Sequence, residues 1–237
     1  SYTLTQSEVG RVVRVRVAYT DELGSLESPN SNATNSVTNT NETGIITVSG
    51  AVTQGQELSV SVSDEDGTGG VTFSYQWQVS SDGGSSWSDI SGATSISYTL
   101  TQSEVGRVVR VRVAYTDGQG TGESVTSAAT SSVANVNDAP SGSVTISGTA
   151  TEDETLTAVT GTIVDEDGLG SFSYQWNRAG SAISGATSSS YQLVQADVGS
   201  VLTVTASYTD AQSTGESLTS AATSSVANVN DAPSGSV

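Results

Sequence analysis

The clearest pattern along the chain is an alternation of apolar and more polar residues at 200–209, which recurs at 107–116. Successive side chains of a β-strand point to opposite faces, so each segment is predicted to be a half-buried strand. The residues predicted to face the core are Val109, Val111, Val113, Tyr115, Leu202, Val204, Ala206 and Tyr208. A slip of one residue would bury Arg110 and Arg112 without partners, at several kcal/mol each, so this register should be firm.

Short alternating runs separated by Gly, Ser, Asp and Asn occupy the rest of the chain, and none has helical periodicity. In the last part of the chain the pattern predicts strands near 143–148, 154–164, 171–177, 189–194, 200–209 and 216–229. The third of these strands ends in Tyr-Gln-Trp, and the same triplet occurs earlier in the chain. We predict that its tryptophans, Trp77 and Trp176, pack in a core against a second sheet.

Long internal repeats determine the predicted domain organisation. Ser1–Asp21 recurs unchanged at Ser97–Asp117, and a diverged copy occupies Ser190–Asp210. Residues 121–144 also match residues 214–237 at 23 of 24 positions. The chain is therefore predicted to be a tandem array: the C-terminal half of a repeat at 1–42, complete repeats at 43–138 and 139–231, and the start of another at 232–237.

Each complete repeat has about the length of a β-sandwich domain. A tryptophan on the third strand, a later Asp/Glu-Val-Gly turn and a long alternating strand resemble the immunoglobulin-like sandwich. We therefore expect an all-β protein of tandem immunoglobulin-like (cadherin-like) antiparallel sandwiches in an end-to-end array. The chain has no cysteine, so packing must supply the roughly 2 to 4 kcal/mol that a disulfide typically contributes.

The composition of the chain excludes several classes of function. The chain has 25 acidic residues against seven arginines, a net charge of -18, and no His, Cys, Met or Lys. It therefore lacks an imidazole base, a thiol nucleophile and a Cys/His zinc site, and it contains no GxSxG, Walker-type or HExxH motif. We predict that it is not an enzyme, although a pair of glycosidase carboxylates cannot be dismissed by counting alone. The chain also lacks the basic surface that the phosphate backbone of a nucleic acid requires, so we expect no nucleic-acid partner.

Neither a signal peptide nor an apolar run of about 18 residues is present, so no membrane span is expected in this stretch. Because Ser1 stands where a start methionine would be, we expect the stretch to be part of a longer polypeptide.

The segment Val136-Asn137-Asp138-Ala139-Pro140 recurs at 229–233, and the first copy precedes SGSVTISGTATEDETLTA and DEDGLGSFSYQW. This order resembles the cadherin-like and immunoglobulin-like tandem repeats, of VCBS/NDAP type, in giant bacterial surface adhesins exported by type I secretion. The resemblance implies an extracellular, cell-surface role as a structural stalk or fibre. It also implies contacts between neighbouring repeats of one chain, and calcium near the repeat junctions that stiffens the stalk.

The junction residues and two Asp-x-Asp-Gly loops suggest where calcium could bind, because this cation takes about six to eight oxygen ligands. The candidates at the second junction are Asn137, Asp138, Glu104, Asp165, Asp167, Asp210 and Glu216. Those at the first are Asn41, Glu42, Glu8, Asp64, Asp66, Asp117 and Glu123, although that junction lacks the Asp-Ala-Pro of the second. The alternative is that the loop aspartates only make Asx turns.

Two further features leave alternatives open. Trp87 lies in a segment that the other complete repeat lacks, and it either offers a stacking platform to a glycan or folds onto a sheet edge. Six of the seven arginines (Arg11, Arg14, Arg16, Arg107, Arg110 and Arg112) lie on one strand type. They form either a solvated outer face, which also discourages pairing between near-identical sheets, or a contact with neighbouring fibres or anionic glycans.

Overall fold

The computed structural model of the protein describes residues 1–230, and its regular elements within that range are β-strands and single-turn 3-10 helices. The strands of the first part are β1 (Tyr19–Thr20), β2 (Leu26–Glu27), β3 (Ile45–Ser49), β4 (Glu57–Ser63), β5 (Ser74–Ser80), β6 (Ser88–Asp89), β7 (Ser97–Thr99), β8 (Val108–Thr116) and β9 (Gly122–Thr126). Those of the second part are β10 (Thr145–Ser147), β11 (Thr155–Val159), β12 (Ser173–Arg178), β13 (Ser181–Ala182), β14 (Ser190–Gln192), β15 (Leu202–Thr209) and β16 (Gly215–Thr219). The 3-10 helices span Gln6–Glu8, Gln102–Glu104 and Gln195–Asp197. The all-β expectation is confirmed.

The chain divides into two compact units, Ser1–Ala134 and Asn135–Val237. The finer division into one partial and two complete repeats stays a prediction. The predicted start of a further repeat at 232–237 lies outside the described residues.

In the first unit, two antiparallel sheets enclose one hydrophobic core. One sheet has the order β3-β4-β7 and the other the order β6-β5-β8-β9. Trp77, Leu58 and Val111 are fully buried between the two sheets. The indole Nε1 of Trp77 donates to the Ser95 carbonyl at 3.0 Å, so its one polar atom is satisfied. This strand order makes an antiparallel sandwich of the immunoglobulin-like and fibronectin-like class.

The second unit repeats this arrangement, with sheets β10-β11-β14 and β13-β12-β15-β16. Trp176 pairs with Val204 on the neighbouring strand, and both side chains are fully buried. The prediction that Trp77 and Trp176 are core residues is confirmed.

The register of the long alternating strand is also confirmed in both units. The odd-numbered residues of β8 from Val109 to Tyr115 are buried, whereas Arg112 is exposed and Arg110 is half-buried. In β15 the even-numbered residues from Leu202 to Tyr208 are buried. One face of each strand therefore belongs to the core and the other to the outer surface.

The last predicted strand of the second unit, 216–229, is wrong in its later part, because β16 ends at Thr219. Beyond it the chain continues beside β15 with irregular steps. The N–H groups of Ser220, Thr223 and Val226 donate to carbonyls of Val204, Leu202 and Ser200. Each step of three residues along this edge thus corresponds to a step of two residues along the neighbouring strand, so no regular ladder forms.

Hydroxyl groups fill the gaps that these irregular steps create. The N–H of Val204 donates to Ser220 Oγ at 3.1 Å, and the N–H of Leu202 donates to Thr223 Oγ1 at 3.0 Å. Side chains therefore replace carbonyl acceptors along the last edge of the sheet.

The core position of Trp176 gives a first prediction. Replacing Trp176 with Ala removes a fully buried ring and leaves a cavity, so the second unit should lose about 3 to 5 kcal/mol of unfolding free energy. Urea titration followed by circular dichroism measures this loss. Half-buried Trp87 is the matched control, and Trp87→Ala should cost much less. Equal losses in the two variants would contradict the assigned core.

Candidate functional site

In the first unit, the linker before β3 is bound to loops at one end of the sandwich. Asn41 donates from Nδ2 to Glu123 Oε1 at 2.7 Å. The N–H of Glu42 donates to Asp66 Oδ2 at 3.0 Å. Glu123 lies on β9 and Asp66 in the loop after β4, so two carboxylates that are distant in sequence hold the linker.

Asp64 organises the loop after β4. Its Oδ1 accepts the N–H of Asp66 at 2.9 Å, which is the Asx turn of the alternative interpretation. Its Oδ2 accepts the hydroxyl of Tyr115 at 2.5 Å. The Asx turn is thereby fastened to the end of β8.

Asp117 organises the neighbouring turn between β8 and β9. Its Oδ1 accepts the N–H groups of Gln119 at 2.9 Å and Thr121 at 2.7 Å. Its Oδ2 is buried without a hydrogen-bond partner, and so is Oδ1 of Asp66. Asp66 and Asp117 are only 3% and 5% exposed, so water does not readily solvate these two oxygens. A buried carboxylate oxygen without a partner is costly unless something else coordinates it.

Equivalent residues form the same arrangement in the second unit. Asn137 Nδ2 donates to Glu216 Oε1 at 2.9 Å, and the N–H of Asp138 donates to Asp167 Oδ2 at 2.7 Å. The Asx turn of Asp165 is present as well, with the N–H of Asp167 at 2.9 Å from its Oδ1.

The turn aspartate of the second unit also repeats its counterpart. Tyr208 donates to Asp165 Oδ2 at 2.5 Å, and Asp210 Oδ1 accepts the N–H groups of Gln212 and Thr214, both at 2.8 Å. Oδ2 of Asp210, like that of Asp117, is buried without a hydrogen-bond partner.

Burial, together with the acidic groups at this end of each sandwich, raises the pKa of the tyrosine that they surround. Burial raises the pKa of Tyr115, and the hydrogen bond to Asp64 with the charges of Glu123 and Asp117 raises it further. The pKa of Tyr208 is raised by the corresponding causes: burial first, then Asp165, then Glu216 and Asp210. Each tyrosine therefore reports a concentration of negative charge around it.

These donors fit calcium chemically, although the geometry is incomplete. All of the side-chain donors are carboxylate or amide oxygens, which hard cations prefer, and Asp66, Asp117 and Asp210 offer buried oxygens without hydrogen-bond partners. Within residues 1–230, however, no group of three or more acidic side chains could hold a metal ion as it stands.

Two of the predicted calcium ligands, Glu104 and Glu8, lie before the junctions to which they were assigned, and both are engaged in local turns. Glu104 is buried, and its Oε2 accepts both the N–H and the hydroxyl of Thr101 at 2.9 Å. Glu8 accepts the corresponding groups of Thr5 and also the Ser7 hydroxyl. These hydrogen bonds, with that of Ser7 the largest cause, lower the pKa of Glu8 to about 2. Both side chains thus cap a 3-10 helix, and their role as ligands stays a prediction.

Sequence reasoning missed a buried ion pair in the second unit. Asp197 is fully buried, and its Oδ1 accepts Nε of Arg178 at 2.6 Å. Its Oδ2 accepts the hydroxyl of Tyr191 and the N–H of Val194. The only signal in the sequence was that Asp197 stands where the preceding repeat has Glu104. This difference does not reveal an arginine on another strand.

Trp87 is half-buried on the outer face of the four-stranded sheet. Its Nε1 donates to the Gly84 carbonyl at 3.0 Å, and the Arg110 guanidinium carbon lies 4.1 Å from the ring centroid. Arg110 also donates to Gln78, which donates to Asp89. A cation over the ring favours the interpretation that Trp87 folds onto the sheet. Glycan binding stays a prediction.

No family model and no curated protein matches the chain. Among solved structures, the crystal structure of chicken CNTN1 FN1-FN3 domains is similar, with 13% identity over 87% of this chain and 77% of that chain. Its TM-score is 0.25. In the described residues, no helix has the length and apolar character needed to span a membrane.

The raised pKa values of the buried and half-buried tyrosines give a second prediction. Burial, with the charge of Glu104, raises the pKa of Tyr98 to about 12, and the pKa values of Tyr115 and Tyr208 are raised too. Tyrosine is neutral below its pKa, so this contribution to stability is complete below the unfolded pKa of about 10. It should be lost as the pH rises from there through about 12.

Absorbance at the phenolate band and urea midpoints across this pH range test the prediction. In the folded chain, part of the tyrosine ionisation should occur at high pH, as a late phase of the titration. This phase should be absent from the urea-denatured chain, where tyrosines ionise near their usual pKa. Tyr98→Phe should remove part of the late phase. Identical titration curves for the folded and denatured chains would contradict the assigned environments.

Proposed function

We propose that the chain is a segment of an extracellular structural stalk or fibre, built from tandem immunoglobulin-like sandwiches arranged end to end. The parent protein is of the bacterial surface adhesin type whose repeats the sequence resembles. On this proposal, the segment performs no catalysis, and its task is to hold a distant binding module away from the cell surface.

One observation supports this proposal most: each complete repeat binds the linker that precedes it, and the two repeats use equivalent residues to do so. Asn41 and Asn137 donate to the corresponding glutamates, Glu123 and Glu216. A linker held in this way loses rotational freedom, which a flexible tether would keep. Restricted linkers are what a stalk needs if its length is to grow with the number of repeats.

The irregular final edges of the two sandwiches give further support. Near-identical sheets lying side by side would tend to pair through exposed edges. In the first unit, as in the second, hydroxyl groups of Ser127 and Thr130 accept N–H groups of Val111 and Val109. Such an edge lacks the regular spacing that a neighbouring strand needs for a ladder, which favours an end-to-end arrangement over sheet-to-sheet association.

Calcium is the cofactor that we propose for the ends of the sandwiches. Asp66 and Asp117 would hold it in the first unit and Asp210 in the second, through their buried oxygens without hydrogen-bond partners. The linker and loop carboxylates would supply the remaining ligands. A bound dication would offset the repulsion among these carboxylates and tighten the hold on the linker.

The calcium proposal predicts a rise in thermal stability with millimolar calcium compared with chelator. At a free concentration of about 100 times Kd, binding adds about 2.7 kcal/mol, which raises Tm by several degrees in domains of this size. The double variant Asp117→Asn, Asp210→Asn should lose this rise. The matched control is Asp153→Asn, at an exposed aspartate outside both clusters. Asp153 has a φ of 65°, a conformation that asparagine also tolerates.

A Tm that is the same in calcium and chelator would exclude calcium as the stabilising cofactor. A rise that survives in the double variant would place the ion elsewhere. Neither outcome depends on the shape of the chain, so the stalk is tested separately.

The stalk proposal predicts an elongated particle in small-angle X-ray scattering. A compact globule of this length has a radius of gyration of about 18 Å, and an end-to-end array should lie well above that value. Replacing both Asn41 and Asn137 with Ala should broaden the distribution of lengths while each sandwich keeps its own melting transition. A radius of gyration near the globular value would contradict the proposal.

A further inference from the structure

The same sequence has two different environments in the first unit. Residues 1–21 and 97–117 are identical, yet only the second copy is buried. Val111 and Val113 are 0% exposed, whereas their counterparts Val15 and Val17 are 61% and 53% exposed. Leu100 is 1% exposed and its counterpart Leu4 is 48% exposed. Because the sequences are the same, the difference lies in what covers them.

The second copy is covered by residues 43–96. Leu58 and Trp77 from this segment lie in the same core as Val111 and Val113. Strand β5 pairs along the length of β8, with Trp77 opposite Val111. The segment therefore supplies both an apolar face and a hydrogen-bonded neighbour to the 97–134 half.

Residues 52–56 also insert between two parts of that half, with a single bridge at Thr53 followed by a turn at Gln54 and Gly55. The N–H of Gly55 donates to the Leu100 carbonyl at 2.8 Å. On the other side, the N–H of Ala134 donates to the Val52 carbonyl at 3.0 Å, and the N–H of Gln54 donates to the Ala134 carbonyl at 2.9 Å. These bonds join the start of the second copy to its end through the inserted segment.

In the first copy the same backbone groups have no such neighbour. The counterparts of Leu100 and Ala134 are Leu4 and Thr38, whose backbone groups make no hydrogen bond within residues 1–230. A cleft of about 620 Å³ lies at this place, with Leu4, Val9 and Val37 among its lining residues. The cleft is therefore where a segment equivalent to residues 52–56 would insert.

The outer edge of the first copy is nevertheless formed. Val13 and Val15 donate to Thr34 Oγ1 and Ser31 Oγ, both at 3.0 Å, as their counterparts do in the complete repeat. The half repeat thus keeps its own edge contacts while its inner face and cleft stay open.

We propose that residues 1–42 are an acceptor half-sandwich that binds a donor segment with the chemistry of residues 43–96. The donor adds a segment equivalent to residues 52–56 in the cleft between Leu4 and Thr38. It also adds an antiparallel strand beside residues 12–19, and it places leucine and tryptophan side chains against Val15 and Val17. This is strand addition directed by pockets for alternate side chains.

A second copy of the 237-residue chain cannot satisfy this acceptor. The chain holds two donor segments, 43–96 and 139–189, but three acceptor halves, which begin at residues 1, 97 and 190. If one copy gave its 43–96 segment to another, it would expose its own residues 97–134. The number of open faces per copy would not change, so exchange between copies would leave one such face open.

Single-cysteine labelling tests this proposal, since the chain has no natural cysteine. The probe is the full chain with an extra copy of residues 43–96 fused ahead of Ser1. Without the extra copy, Val15→Cys should react with a thiol reagent at nearly the rate of a free cysteine. With it, the rate should fall at least about 100-fold, as expected when a side chain is exposed only by rare opening.

Matched variants make the result specific. Val111→Cys, in the identical sequence of the second copy, should be protected with or without the extra segment. Val17→Cys, another exposed position, is the second reporter and should behave like Val15→Cys. An extra copy that carries Leu58→Asp and Trp77→Asp has charged side chains on its inner face and should protect neither reporter.

Two results would overturn the proposal. One is unchanged reactivity of Val15→Cys and Val17→Cys when the unaltered extra copy is present. The other is protection that already exists in the 237-residue chain and grows with its concentration, because a second copy would then cover the face.

Discussion

The packing of the long alternating strand and its neighbour against the opposite sheet is the interaction on which each sandwich depends. Trp77 on β5 and Trp176 on β12 lie at the centre of the two cores, beside Val111 and Val204 on the long strands. With no disulfide in the chain, apolar burial carries the stability. The register of β8 and β15 follows from it, since any slip would exchange the buried face for the outer one.

That register also positions the acidic ends of the sandwiches. Tyr115 and Tyr208 are the last core residues of their strands, and each donates to an aspartate in the loop after the second strand of its repeat. Asp117 and Asp210 follow two residues later, on the turns to β9 and β16. Antiparallel strands bring such loops together at one end, so carboxylates from distant parts of the sequence surround one tyrosine and bind one linker. The proposed calcium site is a consequence of this geometry.

The segment 1–42 separates local from long-range causes of structure. Its edge, where Ser31 and Thr34 accept N–H groups of Val15 and Val13, forms as in the complete repeats because all of these groups lie within one short stretch. Its core does not form, because the residues that would fill it belong to a different stretch. The sequence of β8, a nine-residue strand, accordingly forms only the two-residue strand β1 in its first copy.

The sequence alone determined the features that depend on local periodicity and on composition. These were the all-β class, the buried face of the long strands and the core position of the two tryptophans, whereas calcium ligation and Asx turns stayed open alternatives for the loop aspartates. Tertiary structure alone decided where β16 ends, which tyrosine binds which aspartate, and that Arg178 neutralises Asp197. It also decided that identical residues are buried at 97–117 and exposed at 1–21. Periodicity states which face of a strand is apolar, but burial requires a partner surface, and that surface comes from residues far away in the chain.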